Sequence, residues 1–187
     1  MTPVATNTST QPERLAAHIT IEIIDPTHPD ARHCLSAYFA ELGRRFDSGF
    51  DPDQSISADD AEVTHPRGVF LVARLRGKAV GCAALKIHRE SGVGEVKRMW
   101  TSPDARALGL GRRLLTHLER EAVSRGVHTL RLETNQSLNE AIHLYRTAGF
   151  QEVDSFNQEQ YAHFWFEKKL EPVRDLHAVG GDRSNSR

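Results

Sequence analysis

The sequence predicts one mixed α/β domain, whose central, mostly antiparallel sheet carries helices on both faces. The chain has 187 residues, of which 39% are hydrophobic, enough for one domain with a real core. Apolar runs of strand length alternate with amphipathic runs of helix length. Three of the strand-like runs follow one another with only short turns between them, which indicates an antiparallel meander inside a mixed sheet.

The first elements are a strand and an amphipathic helix. Ile19–Ile24 alternates apolar and polar residues and predicts a strand that Pro26 and Pro29 end. Apolar side chains recur at helical spacing over Ala31–Phe46, which predicts a helix with one buried face. Asp53–His65 is polar and acidic, and fits either a short helix or a loop.

The middle of the chain predicts three successive strands. Val69–Leu75 and Ala79–Ile87 flank the turn Arg76-Gly77-Lys78, which is the pattern of a hairpin. A second turn, Ser91-Gly92-Val93-Gly94, leads into the strand Glu95–Thr101, and Pro103 ends it.

The last third alternates helices and strands. Gly109–Arg125 predicts a helix with five aliphatic residues on one face, and Gly126 is a natural C-terminal cap. A strand at Thr129–Thr134 and a helix at Leu138–Thr147 follow. The last two strands are predicted at Phe150–Phe156 and His163–Leu170, so the folded domain is expected over residues 18–171.

Composition excludes several classes of protein. The net charge of −1 is not that of a nucleic-acid-binding protein, and no apolar run is long enough to span a membrane. Two cysteines far apart, Cys34 and Cys82, and ten scattered histidines predict neither disulfides nor a metal site, so a reducing cytoplasmic location is expected. Met1–Ala17 has no signal-peptide pattern and, like Pro172–Arg187, is predicted to be a flexible tail.

The segment Arg106-Ala-Leu-Gly-Leu-Gly-Arg112 carries the clearest functional pattern. It lies between a predicted strand and a predicted helix, where backbone N–H groups of a glycine turn can bind an anion. A dinucleotide-binding turn needs a third glycine where this chain has Leu114, and a P-loop needs Lys-Ser/Thr where it has Arg112-Arg113. The guest is therefore expected to be another phosphorylated cofactor.

Two motifs in this order resemble the GNAT superfamily of acyl-CoA-dependent N-acetyltransferases. The first is Arg106-x-x-Gly109-x-Gly111 after a strand, and the second is Leu144-Tyr145-x-x-x-Gly149-Phe150 in the following helix. The resemblance covers most of Ile19–Leu170 and is weakest over Gly43–Pro66. It implies a sheet that splays at the cofactor strand and a reaction in which an amine attacks the thioester of acetyl-CoA directly.

The resemblance also implies which residues bind acetyl-CoA. Met99, Trp100 and Thr101 would pair with the pantetheine arm through their backbone, although their side chains also fit a core or pocket wall. The family often has an asparagine where this chain has Leu138, so Asn139 is assigned the contact, with helix capping as its alternative and Asn135 as a substitute. The pyrophosphate would lie on the turn, whose residues are Arg106, Ala107, Leu108, Gly109, Leu110, Gly111 and Arg112.

The catalytic residues follow from the same resemblance. Tyr145 stands where the family places the acid that protonates the leaving thiolate, and its alternative role is a core-facing aromatic. The base that deprotonates the amine is expected to be Glu133 or Glu95, with His88 a third candidate. A surface ion pair is the alternative for either glutamate.

The acceptor is expected to be a small-molecule primary amine. Arg44 and Arg45, beside Tyr38, Phe46 and Phe50, either bind an acidic group or form a solvated helix end. Three residues that alternate late in the chain also fit a pocket wall, namely Tyr161, His163 and Trp165. The alternatives are a protein or peptide N-acetyltransferase, with the acidic segment Asp51–Glu62 beside an open groove, and a non-catalytic acyl-CoA sensor. A homodimer is a further expectation.

Overall fold

Seven strands form one sheet in the computed structural model, which describes residues 15–56 and 58–171. In chain order they are β1 (Ile19–Ile23), β2 (Gly68–Leu75), β3 (Lys78–His88), β4 (Val93–Thr101), β5 (Thr129–Thr134), β6 (Gln151–Val153) and β7 (Phe164–Lys169). In space the order is β1-β2-β3-β4-β5-β7-β6. Only β4 and β5 run parallel among the paired strands of the described ranges, so the sheet is mixed and mostly antiparallel, as predicted.

Four helices connect the strands. They are α1 (Pro29–Arg45), the short α2 (Pro103–Arg106), α3 (Leu110–Ser124) and α4 (Asn139–Thr147), and a single 3-10 turn covers Pro52–Gln54. Helix α1 begins two residues earlier than predicted because Pro29 suits the first helical position and His28 Nδ1 accepts from the Asp30 N–H. Helix α2 was not predicted, since it is only one turn long.

The predicted tails lie largely outside the described residues. Residues 1–14 and 172–187, which make up most of both tails, are not described, so that prediction stays open. The predicted strand Phe150–Phe156 is reduced to the three exposed residues of β6, because only Gln151–Val153 pair with β7. No helix in the described ranges is long and apolar enough to cross a membrane.

The sheet is buried on both faces. Alternate residues of β2 point to opposite sides: Val69 and Leu71 pack in the core under α3, whereas Phe70 packs in the core under α1. The buried face of α3 is the one predicted, with Leu114 and Leu118 fully enclosed. This confirms helices on both faces.

The sheet opens between β4 and β5. Their parallel pairing extends over three residue pairs and ends at Glu95 and Arg131, so the second half of β4 has no partner on that side. A register shift against β3 occurs at the same place, where Arg98 has a φ of 54° and the pairing changes between Ala84–Lys97 and Cys82–Trp100. The bulge and the missing pairs confirm the predicted splay at this strand.

Candidate active site

Two adjoining cavities lie where the sheet opens. One has a volume of about 290 Å³ and lies between β4, the start of α3 and one side of α4; we call it the turn-side cavity. The other, the aromatic cavity, has a volume of about 110 Å³ and lies between α1, β5 and the segments 50–56 and 159–162. Six residues line both cavities and form their common wall: Tyr38, Leu42, Met99, Leu138, Ala141 and Tyr145.

Two glycines shape the turn-side cavity. Gly109 has a φ of 67°, a left-handed conformation that turns the chain from α2 into α3 and that other residues rarely adopt. Gly111 faces α4, and a Cβ there would stand 3.1 Å from Leu144 Cδ2 and 3.7 Å from Met99 Cε. Both glycines line the cavity, so the backbone itself forms this part of the wall.

Most of the predicted cofactor residues line the turn-side cavity, namely Met99, Trp100, Thr101, Arg106, Gly109, Gly111, Arg112 and Tyr145. Ala107 is exposed, Leu108 packs against the core and Leu110 is fully buried, so their side chains are not part of the lining. The predicted role of these three residues rests on their backbone, not on their side chains.

The backbone hydrogen bonds divide the turn into two parts. The N–H groups of Ala107, Leu108 and Gly109 donate to carbonyl oxygens within α2 and the turn. The next three residues, Leu110 to Arg112, open α3, and the first N–H groups of a helix have no intrahelical acceptor. These N–H groups, with the helix dipole behind them, form a suitable anion site.

Both arginines of the turn have protein partners. Arg106 Nη2 lies 2.6 Å from each carboxylate oxygen of Glu41, which also accepts from Trp100 Nε1 at 2.9 Å. Although burial opposes ionisation, these hydrogen bonds from Trp100 and Arg106 lower the pKa of Glu41. Arg112 instead donates to the Thr147 hydroxyl at 2.6 Å, beside the end of α4. Sequence reasoning missed Glu41 because it lies 65 residues from Arg106.

The asparagine predictions change in the structure. Leu138, not Asn139, is the N-cap of α4, so the suggested capping role of Asn139 is wrong. Asn139 is exposed and lines neither cavity. Asn135 is the asparagine of the site: it lines the aromatic cavity, accepts from the Ser137 N–H at 2.9 Å and donates to the Tyr161 carbonyl at 2.7 Å.

Tyr145 lies in the common wall of the two cavities. The residue is 6% exposed, and its hydroxyl donates to Met99 Sδ at 3.8 Å. Burial, and secondarily the negative charge of Glu133, raise the pKa of Tyr145. Tyr145 packs in the core, as its alternative role predicted, and it also lines both cavities where they meet; its role as the acid stays a prediction.

Glu133 lines the aromatic cavity, and one of its two carboxylate oxygens is ion-paired. Oε1 pairs with Lys97 Nζ, whereas Oε2 is buried and has no hydrogen-bond partner among the residues that the structure describes. The side chain is 9% exposed. Its charge contributes to the raised pKa of both Tyr38 and Tyr145, which places it near both hydroxyls.

Glu95 lines neither cavity and is surrounded by cations. Its carboxylate lies 3.3 Å from Lys97 Nζ, 2.6 Å from Arg131 Nη2 and 2.9 Å from His88 Nε2. Although burial opposes ionisation, the charge of Lys97 and the hydrogen bond from Arg131 lower the pKa of Glu95 to about 2. A carboxylate held by these partners is a poor proton acceptor. His88, the third candidate base, also lines neither cavity.

The predicted acceptor residues separate into two groups. Tyr38, Phe46, Phe50 and Tyr161 line the aromatic cavity together with Phe39. The others do not: Arg44 is exposed, Arg45 pairs with Glu140 at 2.7 Å, His163 is exposed, and Trp165 donates to Asn157 at 2.8 Å. The paired arginines thus form a helix end at which Arg45 makes two ion pairs, with Glu140 and with Glu41, and not a joint anion site.

An opened sheet beside a helix N-terminus, joined through a buried tyrosine to a second cavity, is the arrangement that the resemblance to acyl-CoA-dependent N-acetyltransferases predicted. Residues 14–150 match the family described as Acetyltransferase (GNAT) family. The chain therefore belongs to the GNAT family, whose members are acetyl-CoA-dependent acyltransferases.

Relatives and solved structures agree with this assignment. The chain is 40% identical over 116 residues to an IAA acetyltransferase of Azospirillum brasilense, covering 62% of this chain and 76% of the relative. It is 33% identical over 129 residues to an uncharacterized N-acetyltransferase of Schizosaccharomyces pombe, covering 68% and 78%. The crystal structure of a putative acyl-CoA N-acyltransferase from Klebsiella pneumoniae superposes with a TM-score of 0.67 at 34% identity, covering 83% of this chain and 99% of that one.

The residues of the turn-side cavity suit acetyl-CoA, which is the acyl donor of this family. The cavity runs from the N-terminus of α3 along the unpaired half of β4 to Tyr145. It is the larger of the two cavities, and a Cβ at Gly111 in its wall would press on Leu144. When bound, acetyl-CoA supplies the acetyl thioester.

Proposed function

We propose that this enzyme transfers the acetyl group of acetyl-CoA to the primary amine of a small molecule bound in the aromatic cavity, by direct attack. The observation that carries the proposal is the common wall of the two cavities. Tyr145 and Met99 border both, so a donor in the turn-side cavity and an acceptor in the aromatic cavity would meet there. Holding two reactants in contact supplies much of the rate enhancement of a transfer reaction.

On the donor side, the proposal assigns the phosphates to the N–H groups of Leu110, Gly111 and Arg112. The pantetheine arm would take the place of the missing strand beside β4 and hydrogen-bond to the backbone of Met99, Trp100 and Thr101. The loss of β4–β5 pairing beyond Glu95 supports this, because buried backbone groups need partners. Asn139 has no part in this assignment.

On the acceptor side, Glu133 is the proposed base. A primary amine is protonated near neutral pH and must lose a proton before it can attack a carbonyl. Glu133 lines the aromatic cavity, and its buried Oε2 has no partner in the described chain, whereas the oxygens of Glu95, which lines neither cavity, are held by Lys97, Arg131 and His88. Geometry thus favours Glu133 over Glu95.

Tyr145 is the proposed acid. As the nitrogen bonds to the carbonyl carbon, the C–S bond breaks, and the departing thiolate takes the phenolic proton. The raised pKa of Tyr145 keeps its phenol protonated, so the proton is present when the thiolate leaves. Two protons leave the nitrogen between ammonium and amide: the first passes to Glu133, and the second, released as the amide forms, restores the Tyr145 phenol, which balances the reaction.

A small acceptor is favoured over a protein because the cavity is covered. The segment 51–56 is hydrogen-bonded to the segment 159–161 through Asp51 N to Tyr161 Oη at 3.0 Å, Ser55 Oγ to Glu159 at 2.8 Å and Gln160 to Gln54 at 3.0 Å. The acidic groups predicted to flank a peptide groove are used within the chain, since Asp60 pairs with Arg32 and Arg98, and Glu62 pairs with Lys86.

The test is a competition between acceptors. The enzyme would be incubated with acetyl-CoA, an equimolar panel of small primary amines and a panel of peptides with free N-termini and lysines. Mass spectrometry would then identify which compounds are acetylated. We expect acetylated small amines, and a Glu133→Gln variant that forms them at least roughly 100 times more slowly. Acetylated peptides alone would overturn the proposal, and acetyl-CoA binding without any turnover would favour the sensor.

A further inference from the structure

We infer that the acceptor is a primary amine carried on a short chain from a single aromatic ring. This inference rests on the proposed function and adds the chemical class of the substrate. It depends on three features of the aromatic cavity: rings on its wall, a volume that excludes a second ring, and one carboxylate oxygen without a partner in the described chain.

The wall of the cavity is a connected group of aromatic rings. Phe50 is at its centre, stacked on Phe39 with ring centroids 5.9 Å apart and lying 4.9 Å from Tyr161 and 5.7 Å from Phe46. Tyr38 extends the group toward the common wall, 5.3 Å from Phe39. Phe39, Phe50 and Tyr161 keep part of their surface exposed and line the cavity, so these rings are not consumed by packing on one another.

The volume limits the guest to one ring. The aromatic cavity holds about 110 Å³, less than the roughly 150 Å³ of a closed apolar cavity that takes up benzene, so a second ring has no room and one ring fits only with part of it in the mouth. The cavity is partly open and is bounded by the hydrogen bonds between segments 51–56 and 159–161. A flat ring can lie against aromatic walls with offset or edge contacts, which a thicker saturated ring cannot reproduce.

The charges of the cavity suit one ammonium group and no more. Its described charged lining residues are Lys97, Arg98, Glu133 and Glu159. The Glu159 carboxylate is committed, since it accepts from Ser55 Oγ, from the Ile56 N–H at 2.6 Å and from the Tyr161 N–H at 3.1 Å. Only Glu133 has an oxygen without a partner in the described chain, so a polyamine would bring more positive charge than the cavity can pair.

The same arrangement orients the guest. Glu133 and Tyr145 are at the end of the cavity that borders the turn-side cavity, and the Phe50 group is at the outer end, against the segments 50–56 and 159–162. An aromatic ring between the outer rings would direct an amine on a short chain toward Glu133 Oε2 and the common wall.

The experiment compares 2-phenylethylamine with 2-cyclohexylethylamine and hexylamine, by thiol release from acetyl-CoA. The first two amines have the same carbon skeleton and differ in whether the ring is flat. Because aromatic contacts contribute about 0.5–1.5 kcal/mol, kcat/KM should be roughly 2- to 12-fold higher for 2-phenylethylamine. Phe50→Leu, which keeps an apolar residue but removes the central ring, should bring this ratio close to one.

The outcomes separate the two proposals. Equal kcat/KM for the flat and saturated rings, a ratio that Phe50→Leu leaves unchanged, or turnover of hexylamine alone would each overturn the inference and leave the proposed function standing. No thiol release with any amine, by protein shown to bind acetyl-CoA, would overturn both. A Phe39→Leu variant gives the same comparison if Phe50→Leu fails to fold.

Discussion

The two cavities that meet at Tyr145 are built in different ways. The turn-side cavity takes much of its shape from backbone, namely the glycine turn, the first N–H groups of α3 and the unpaired half of β4. The aromatic cavity is shaped by long side chains from segments far apart in the chain. On the proposed assignment, peptide groups bind the donor used by the whole family, and few substitutions change them. Side chains bind the acceptor, and substitutions can exchange these one at a time.

The largest expected effect is a loss of acetyl-CoA binding on substitution of Gly111 in the turn-side cavity. A Gly111→Glu substitution places a Cβ 3.1 Å from Leu144 Cδ2 and a carboxylate where the phosphates are proposed to bind. The clash and the like charge should together lower acetyl-CoA affinity more than roughly 100-fold, measured by calorimetric titration. The matched control is Gly43→Glu, since Gly43 is exposed on α1 with nothing within 4 Å of its Cβ position. Equal losses in both variants would contradict the assigned phosphate site.

The next largest effect is expected at the common wall. Tyr145→Phe removes one hydroxyl, whose only hydrogen bond in the described chain is the 3.8 Å contact with Met99. We expect kcat to fall roughly 100- to 1000-fold while acetyl-CoA affinity stays within a factor of about two, because general acid catalysis acts in the transition state.

Tyr38→Phe is the control for this effect, since Tyr38 also lines both cavities and also has a pKa raised by burial. A loss of kcat in Tyr38→Phe as large as that in Tyr145→Phe would remove the special role of Tyr145. Steady-state kinetics at saturating acetyl-CoA would give both values.

A third prediction uses a residue outside both cavities. The pKa of Glu95 falls from 4.5 to about 2 on folding, so its ionised form stabilises the fold. This contribution, about 3 kcal/mol, is complete above about pH 4.5 and is lost as the pH falls from there toward 2. Glu95→Gln should therefore lower the free energy of unfolding at pH 7 and converge with the wild type near pH 2, measured by urea denaturation.

The Glu95→Gln variant also tests which of the two glutamates, Glu95 or Glu133, is the base. Folded Glu95→Gln protein should keep kcat within a few-fold of the wild type, whereas Glu133→Gln should not. If Glu95→Gln instead lost activity without losing stability, Glu95 would be the better candidate for the base. The ion pairs that link His88, Glu95, Lys97 and Glu133 would then have a role in catalysis.

The difference between the two cavities also explains which parts of the candidate site could be predicted from the sequence. The glycine turn, the strand before it and Tyr145 lie within about 50 residues and carry the motifs of the family resemblance, so the sequence predicted most of the lining of the turn-side cavity. That these residues bind the donor stays a prediction. The Phe50 ring group joins α1 to a contact 110 residues away, as the Asp51–Tyr161 hydrogen bond shows. Periodicity carries no information on such pairs, and it could not distinguish Glu133 from Glu95, which share the Lys97 ammonium.

The smallest effect is predicted for Glu41, a side chain of α1 that contacts Arg106 of the glycine turn. Its carboxylate contacts the turn and accepts from Arg106 with both oxygens. Glu41→Gln keeps an oxygen for the Trp100 N–H but removes the charge. Since a partly exposed ion pair contributes about 1 kcal/mol, acetyl-CoA affinity should rise up to roughly fivefold as Arg106 becomes available to phosphate.

The gain should shrink at high salt, because both the ion pair and the attraction to phosphate are screened there. Calorimetric titrations at low and high ionic strength would measure it. A fall in affinity would mean that Glu41 positions Arg106 for the donor and does not compete for it, and the side chains of α1 would then belong to the donor site as much as the glycine turn does.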